Sequence, residues 1–175
     1  MSIEFKKVSY KEYKTAREAM KDCPAEPLIR AEYNRIKLPC RSTEGSAGYD
    51  FFAPFNIKIK GISNYDKENS KDFSIKFPTG IKITGDTKGW FLLCLPRSGL
   101  GFNWGVHLWN TAGVVDSDYQ FADNSGHIFA KLSSIDNVEI SQGRAFMQGI
   151  ILPYLKVDND EVVTKRRGGL GSTDK

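Results

Sequence analysis

The stretch FSIKFPTG, Phe73 to Gly80, has the pattern of a half-buried β-strand that ends at a turn. Phe73, Ile75 and Phe77 alternate with polar residues, and this period of two places the apolar side chains on one face of an extended chain. The same alternation recurs at Ile57 and Ile59, and at Ile128, Ala130 and Leu132. These stretches therefore predict strands with one face in a core and the other in water.

Glycine-containing turns separate the predicted strands, and their spacing is typical of an all-β barrel or sandwich. They lie at Gly61, Gly80, Gly85 to Gly89, Gly105, Gly126, Gly143 and Gly149. Residues 31–160 show no alternation of strands with helices, no internal repeat and no linker. An α/β fold is therefore not expected.

Composition indicates an ordinary globular chain and gives little direction to function. The 175 residues include 25 basic and 21 acidic side chains, a net charge of +4 that attracts anions weakly. Three widely separated cysteines suggest reduced thiols rather than a disulfide framework or a CxxC metal site. No signal peptide is expected at the start, and the longest apolar run, Trp90 to Leu95, is too short to cross a bilayer. We therefore expect a cytoplasmic protein.

Only one helix is predicted, in VSYKEYKTAREAM near the start of the chain. Ser9 and Glu12 form a capping-box pattern, and Val8 and Tyr13 are spaced as a hydrophobic staple. We divide the chain into a helical extension (1–30), a β-barrel domain (31–162) and a flexible glycine-rich tail (163–175). The polar stretch KGISNYDKENSKDFS is expected to be a surface loop.

Two stretches suit the oxygens of a phosphate. In LPRSGLG, Arg97, Ser98 and Gly99 offer a guanidinium, a hydroxyl and accessible backbone N–H groups at a strand end. The tail KRRGGLGSTDK repeats this chemistry with arginines, glycines and hydroxyls, but it is not a Walker A loop. A solvated turn and a frayed terminus are the common alternatives for these stretches.

The stretch GVVDSDY brings two carboxylates together. If it is a strand, Asp116 and Asp118 point to one face while Ser117 and Tyr119 point to the other. One carboxylate could then take a proton from water while the other steadies a cation or a turn. A solvated turn at a strand end is an equally good explanation of Asp-Ser-Asp.

Five stretches in order resemble the motifs of the trimeric all-β dUTP diphosphatases (dUTPases), over residues 33–174. They are AGYDFFA, PRSGLG, NTAGVVDSDY, GRAFMQGII and RRGGLGST, and FPTGIKI between the first two is also typical. The resemblance implies a jelly-roll-like barrel assembled as a homotrimer with shared active sites. The mobile tail of one chain would close over a site made by the other two. The implied activity is hydrolysis of dUTP to dUMP and pyrophosphate with Mg²⁺, without direct binding to nucleic acid or membrane.

The resemblance also implies a role for each matched residue. Asp116 would be the base that activates a water for in-line attack on the α-phosphorus. Arg97 would hold the Asp116 network or a phosphate. Asp50 would meet the metal through waters, because Mg²⁺ usually keeps several of its waters. The residues expected to contact substrate are Ser98, Gly99, Asn110, Gly113, Tyr119, Gln148, Arg166, Arg167, Leu170, Gly171, Ser172 and Thr173.

Base and sugar selection follow from the same resemblance. Tyr119, on the strand face opposite Asp116, would lie under the deoxyribose and leave no space for a 2′-hydroxyl. A hairpin beginning near Asn110 would present amide groups to uracil, and cytosine would leave those groups unpaired. Within the turn, Asp118 would be a structural carboxylate.

The sequence departs from the family pattern at three places. Leu170 replaces a phenylalanine that stacks on uracil, and Ala145 replaces an arginine, with Arg144 one position earlier. After Tyr119 the stretch QFADNSGHIF is longer than usual, and Phe121 in it is a candidate substitute lid. These departures leave open a nucleotide-binding or protein-interacting member with reduced turnover. A relative of the dCTP deaminases, which use a glutamate near the third motif, is a further alternative.

Overall fold

The computed structural model of the chain describes residues 2–64 and 73–169. Within them lie eleven β-strands and three α-helices. The strands are β1 (Ile3–Lys7), β2 (Tyr49–Phe52), β3 (Ile57–Ile59), β4 (Ser74–Pro78), β5 (Ile81–Gly85), β6 (Trp90–Pro96), β7 (His107–Leu108), β8 (Gly113–Asp116), β9 (Phe129–Ser133), β10 (Val138–Ile140) and β11 (Ala145–Pro153). The helices are α1 (Tyr10–Glu18), α2 (Glu26–Arg35) and α3 (Ser98–Trp104), and 3₁₀ turns cover Ile62–Asn64 and Ser117–Phe121.

The described strands pair in antiparallel fashion in four sheets. The largest has the order β2-β11-β6-β8, and the next has the order β4-β9-β7. Two two-stranded pairs, β1-β5 and β10-β3, complete the set. The prediction of an all-β architecture is confirmed.

One hydrophobic cluster joins these sheets into a single core. The alternating residues that predicted strands supply part of it: Ile57, Phe77 and Leu132 have no measurable exposure. Cys23, Cys40 and Cys94 are all free thiols, as their spacing predicted. Most of the predicted polar loop, at 65–72, lies outside the described residues.

The start of the chain is more elaborate than the single predicted helix. The capping box of α1 is confirmed: Ser9 Oγ accepts from the Glu12 N–H and the Glu12 carboxylate accepts from the Ser9 N–H. However, β1 precedes α1 and pairs with β5, and α2 follows it. The boundary predicted between residues 30 and 31 falls inside α2.

Both misses have a physical reason. The partner of β1 lies about 75 residues away, so no local pattern announces the strand. In α2, the prolines of CPAEP suggested a break, but Pro27 lies in the first helical turn. There a proline lacks only an N–H that has no helical partner.

Arg17 ties the two N-terminal helices to the barrel. Its side chain is buried, its Nε donates to Glu32 Oε2 at 3.1 Å, and its guanidinium lies over the ring of Phe55 at 4.1 Å from the centroid. None of the helices in the described ranges has the length and apolar character needed to cross a membrane.

Candidate active site

Four of the predicted site residues meet where β2, β11 and the end of β6 come together; we call Asp50, Arg97, Ser98 and Gln148 the Arg97 cluster. Asp50 on β2 lies directly opposite Gln148 on β11. Arg97 follows the last residue of β6, where its N–H donates to the Phe146 carbonyl at 3.3 Å, and Ser98 begins α3. All four line a cavity of about 380 Å³.

The charges of the Arg97 cluster are paired within it. Arg97 Nη1 donates to the buried carboxylate of Asp50, which also accepts from Ser42 Oγ at 2.8 Å. The Arg97 side chain keeps 39% of its surface exposed, so part of its guanidinium is available to an anion. This cluster is therefore suited to phosphate oxygens.

The surroundings of the Asp50 carboxylate favour contact with a Mg²⁺ ion through waters. Its Oδ2 is paired with Arg97 and accepts from Ser42, so the negative charge that would attract a metal ion is partly compensated. Across residues 2–64 and 73–169, no three His, Cys, Asp or Glu side chains are grouped as a metal site. Mg²⁺ usually keeps several of its waters, so the contact of Asp50 with the metal through waters stays a prediction.

A second group of predicted residues surrounds the end of β8; we call Asp116, Asp118, Tyr119 and Arg166 the Asp116 cluster. Arg166 donates to both carboxylates, through Nη2 to Asp116 and through Nε to Asp118 Oδ1 at 2.7 Å. About half of the Asp116 side chain remains exposed. The carboxylate proposed as the base is therefore accessible to water.

The two clusters lie far apart in one chain. Asp116 is opposite Phe91 near the start of β6, whereas Arg97 follows the end of that strand. Six residues of extended chain span about 20 Å. The expectation that Arg97 holds the Asp116 network is thus not met within one chain, where Arg97 pairs with Asp50 instead.

The structure shows the alternative given for GVVDSDY, a turn at a strand end, and the extended interpretation holds only as far as Asp116. β8 ends there, and residues Ser117–Phe121 form a 3₁₀ turn, so Asp118 and Tyr119 are not placed by strand alternation. Asp-Ser-Asp favours such a turn because short polar side chains compete for local backbone groups. Strand alternation therefore no longer supports the predicted role of Tyr119 at the sugar, and its own contacts have to be considered.

Those contacts hold Tyr119 firmly. The residue is 8% exposed, and its hydroxyl donates to the His127 carbonyl at 3.0 Å and accepts from Asn124 Nδ2 at 2.7 Å. Burial raises the pKa of the Tyr119 phenol, so the hydroxyl stays protonated and can donate. The loop after Tyr119, which is longer than is usual in the family pattern, supplies both hydrogen-bond partners.

Asn110 lies on a link between sheets rather than in a hairpin, and Gly113 is the first residue of β8. β7 pairs with β9, whereas β8 pairs with β6, so residues 109–112 pass from one sheet to another. Asn110 is exposed, and Thr111 adopts a positive φ of 65°. Gly113 has a packing reason of its own, since a Cβ there would lie 3.2 Å from the Cys94 Cβ.

The remaining predicted residues divide into three groups. Gly99 lies in the first turn of α3 with open space around it, and Arg167 is exposed. The exposed Arg144 and the partly buried Ala145, where the sequence departs from the family pattern, line a second cavity of about 410 Å³ that also includes Arg97. The predictions for Leu170, Gly171, Ser172 and Thr173 fall outside the described residues.

Sequence reasoning missed Ser42, Gly48 and Asn124. Ser42 reaches Asp50 because Cys40 and Asp50 form an isolated antiparallel bridge. Gly48 leaves room for Gln148, whose Oε1 would lie 2.6 Å from an added Cβ. The contact of Gly48 with Gln148 depends on the pairing of distant strands, whereas Ser42 and Asn124 lie within ten residues of the side chains that they contact and were missed because their stretches have no regular pattern.

His127 supports Tyr119 from inside the core. It is 2% exposed, and its Nε2 accepts from the Gly80 N–H at 3.0 Å. Burial lowers the pKa of His127 from its usual 6.5 to about 4, so the ring is neutral near pH 7. Protonation would put an unpaired charge in the core and remove the acceptor at Nε2.

Acidification should therefore weaken the fold through His127. The unfolded chain takes up this proton near pH 6.5 and the folded chain near pH 4, so the contribution is complete above pH 6.5 and is lost as the pH falls toward 4. The loss should reach about 3 kcal/mol at pH 4. Urea unfolding of the wild type and His127→Gln between pH 7.5 and 4 measures it. Equal pH slopes in both proteins would contradict the assignment.

Comparisons with known proteins were consistent with one another. A family model described as dUTPase matches residues 34–173. The deoxyuridine 5'-triphosphate nucleotidohydrolase of Lactococcus lactis is 36% identical over 150 residues, 79% of this chain and 88% of that protein. The protein of the same name from Dictyoglomus turgidum is 31% identical over 157 residues, 83% of this chain and 99% of that protein.

Solved structures extend the similarity to the fold. A dUTPase from Streptococcus mutans is 30% identical, with a TM-score of 0.58 over 70% of this chain and 89% of that chain. A dUTPase from phage phi11 of S. aureus, described with a structural Mg(II) ion, has a TM-score of 0.61. It covers 94% of this chain and 98% of its own, but at 12% identity the likeness concerns the fold alone.

Proposed function

The chain belongs to the dUTPase family, and from that premise we propose that it hydrolyses dUTP to dUMP and pyrophosphate at active sites shared between chains. It is a dUTP diphosphatase with the antiparallel β fold of that family. A homotrimer is the assembly we propose. Its chains would bring the Arg97 cluster of one copy against the Asp116 cluster of another.

The separation of the two clusters is the observation that carries this proposal. A base and a phosphate clamp about 20 Å apart cannot act on one α-phosphorus, because reacting groups must approach within a few ångströms. Each chain nevertheless carries both clusters. A closed ring of identical chains would pair every Arg97 cluster with an Asp116 cluster.

In the proposed reaction Asp116 orients a water and takes its proton while the water oxygen attacks the α-phosphorus. The bond from that phosphorus to the bridging oxygen breaks, and pyrophosphate leaves. Asp116 suits this role because its carboxylate is half exposed on a rigid strand end. A positioned base of this kind contributes about 10²- to 10⁴-fold in rate.

The Arg97 cluster would bind the phosphate chain. The exposed part of the Arg97 guanidinium, with Ser98 and Gln148 at the same cavity, offers donors to phosphate oxygens. Mg²⁺, when bound, would neutralise charge on the phosphates, and Asp50 would meet it through waters. Asp50 also fixes the orientation of Arg97, since the two side chains form an ion pair.

Tyr119 would bear against the deoxyribose. Its hydroxyl is occupied by His127 and Asn124, so the substrate would meet the ring rather than the phenol oxygen. Rejection of a ribose 2′-hydroxyl would then be steric. The contacts of residues 170–173 with the substrate remain predictions. The cytoplasmic location also remains a prediction.

A pyrophosphate-release assay with Mg²⁺ tests the substrate assignment. We expect turnover of dUTP and at least 10²-fold lower kcat/KM for dCTP, dTTP and UTP, because each competitor leaves polar groups unpaired or clashes. Equal rates on all four nucleotides would contradict the proposal. Ammonia released from dCTP would instead indicate the deaminase alternative, and tight dUTP binding without pyrophosphate would indicate a binding module.

A further inference from the structure

A basic groove lies between helix α1 and the strands β3, β4 and β9; we call it the lysine groove. Its volume is about 630 Å³, a size that holds a small ligand or the side chains of a short peptide segment. Apolar side chains line part of it, among them Met20 and Ile75. Its basic lining residues all lie exposed at the surface: Lys21, Lys58, Lys60 and Lys76.

The positive charge of the lysine groove is not balanced by its own lining. Among the described residues that line it, only Asp22 is acidic, and that carboxylate already accepts from Arg17 Nη1 at 3.2 Å. Lys58 meets Glu139 of the neighbouring strand at 3.9 Å, but the two side chains are 78% and 52% exposed, so this ion pair is weak. The groove therefore attracts anionic groups.

Lys76 stands beside a second lysine in the sheet. It lies directly opposite Lys131 where β4 pairs with β9, and like charges in such a pair repel each other. Each ammonium rests against an aromatic ring: Lys76 Nζ is 5.2 Å from the centroid of Phe129, and Lys131 Nζ is 4.5 Å from that of Trp109. A carboxylate bound at Lys76 would offset the repulsion between the two lysines.

The apolar part of the lining decides which class of anion fits. Inorganic phosphate would meet the lysines but leave Met20 and Ile75 in water. A single-stranded nucleic acid uses open aromatic faces on which its bases stack, whereas Phe129, the one aromatic ring among the described lining residues, already has Lys76 over it. A peptide that carries both acidic and apolar side chains satisfies both parts of the lining.

We propose that the lysine groove binds an acidic segment of a partner protein, with carboxylates at the lysines and apolar side chains against Met20 and Ile75. This interaction goes beyond the hydrolysis of dUTP and does not depend on it. The groove shares no described residue with the Arg97 cluster or the Asp116 cluster. Its strands β4 and β9 also belong to a different sheet from β2, β11, β6 and β8.

Fluorescence anisotropy with a panel of synthetic peptides tests the occupant. The peptides are about 16 residues long, carry leucines on one helical face and aspartate or glutamate elsewhere, and differ in the spacing of the leucines. We expect the best of them to bind with a Kd of about 10 µM at low salt and about tenfold more weakly in about 0.5 M NaCl, because salt screens exposed charges. Replacing its leucines by serine should also weaken binding about tenfold, since serine cannot cover the apolar lining.

Lysine substitutions locate the site of binding. The groove variant replaces three of the lysines that line it: Lys58→Gln, Lys60→Gln and Lys76→Gln. The control variant removes an equal charge from three exposed lysines outside the groove: Lys11→Gln, Lys37→Gln and Lys88→Gln. We expect the groove variant to bind the best peptide at least about tenfold more weakly, the control variant to bind it as the wild type does, and both variants to hydrolyse dUTP at the wild-type rate.

Four results would overturn the proposal. They are equal peptide affinities in the three proteins, no peptide that binds, leucine and serine peptides that bind equally, and tighter binding of inorganic phosphate or an oligothymidine than of any peptide. Slower sedimentation of the groove variant alone, without peptide, would also overturn it, because the occupant would then be a second copy of the chain. All of these outcomes leave the hydrolase assignment intact, which the pyrophosphate-release assay decides separately.

Discussion

Asp116→Asn is expected to lower kcat for dUTP by about 10²- to 10⁴-fold, because asparagine cannot take a proton from the attacking water. The KM should change far less, since Asp116 is proposed to act on the water rather than to hold the nucleotide. The substitution is nearly isosteric at a half-exposed position, so the fold should be unaffected. Steady-state pyrophosphate release, with thermal unfolding as the check on folding, measures these quantities.

Asp118→Asn is the matched control for that experiment. It removes an equal charge two residues away, and both carboxylates contact Arg166. If the two variants lost kcat equally while remaining folded, the division of roles between Asp116 as the base and Asp118 as a structural carboxylate would be wrong. A drop in kcat confined to Asp116→Asn would support it.

Two inactive variants should restore activity when their chains are mixed in the same oligomers. Arg97→Ala inactivates the Arg97 cluster and Asp116→Asn removes the base. A site shared between chains can nevertheless contain the intact Arg97 of one chain and the intact Asp116 of the other. In a closed ring of three chains that contains both variants, one site in every three would hold both intact residues. Co-expression of differently tagged chains, purified through both tags, provides the mixture.

The outcome distinguishes shared from single-chain sites. Activity near a third of the wild-type value is the expected result for trimers purified through both tags, against nearly none for either variant alone. Oligomers that contain both chains and remain as inactive as the parents would contradict the shared site. The control is a mixture of Arg97→Ala and Ser98→Ala chains. Both substitutions alter the Arg97 cluster, so mixing should not raise the activity above that of the two variants measured separately.

The strands that the sequence predicted are those whose signal is local. The alternation at Phe73 to Phe77 needs only one buried face, and β4 bears it out. β1 was missed because its pairing with β5 is decided by distant residues. α2 was missed because a proline in its first turn looks, in sequence, like a break.

The same distinction between local signals and distant pairings applies to the residues of the candidate site. Motif spacing indicated Asp50, Arg97, Ser98 and Gln148, and strand register brings them to one cavity. The ion pair of Arg97 with Asp50 could not be anticipated, because the residues are 47 positions apart. The 3₁₀ turn after Asp116 agrees with the alternative that Asp-Ser-Asp suggested, a turn at a strand end, and not with the argument from alternation.

The length of β6 has a consequence for how the enzyme responds to dilution. A folded chain on its own would hold every residue of the proposed chemistry, yet the strand between Phe91 and Pro96 keeps the two halves out of reach of each other. Catalytic competence would then be set by an association equilibrium rather than by folding. Below the concentration at which chains separate, specific activity should fall while the folded fraction stays constant.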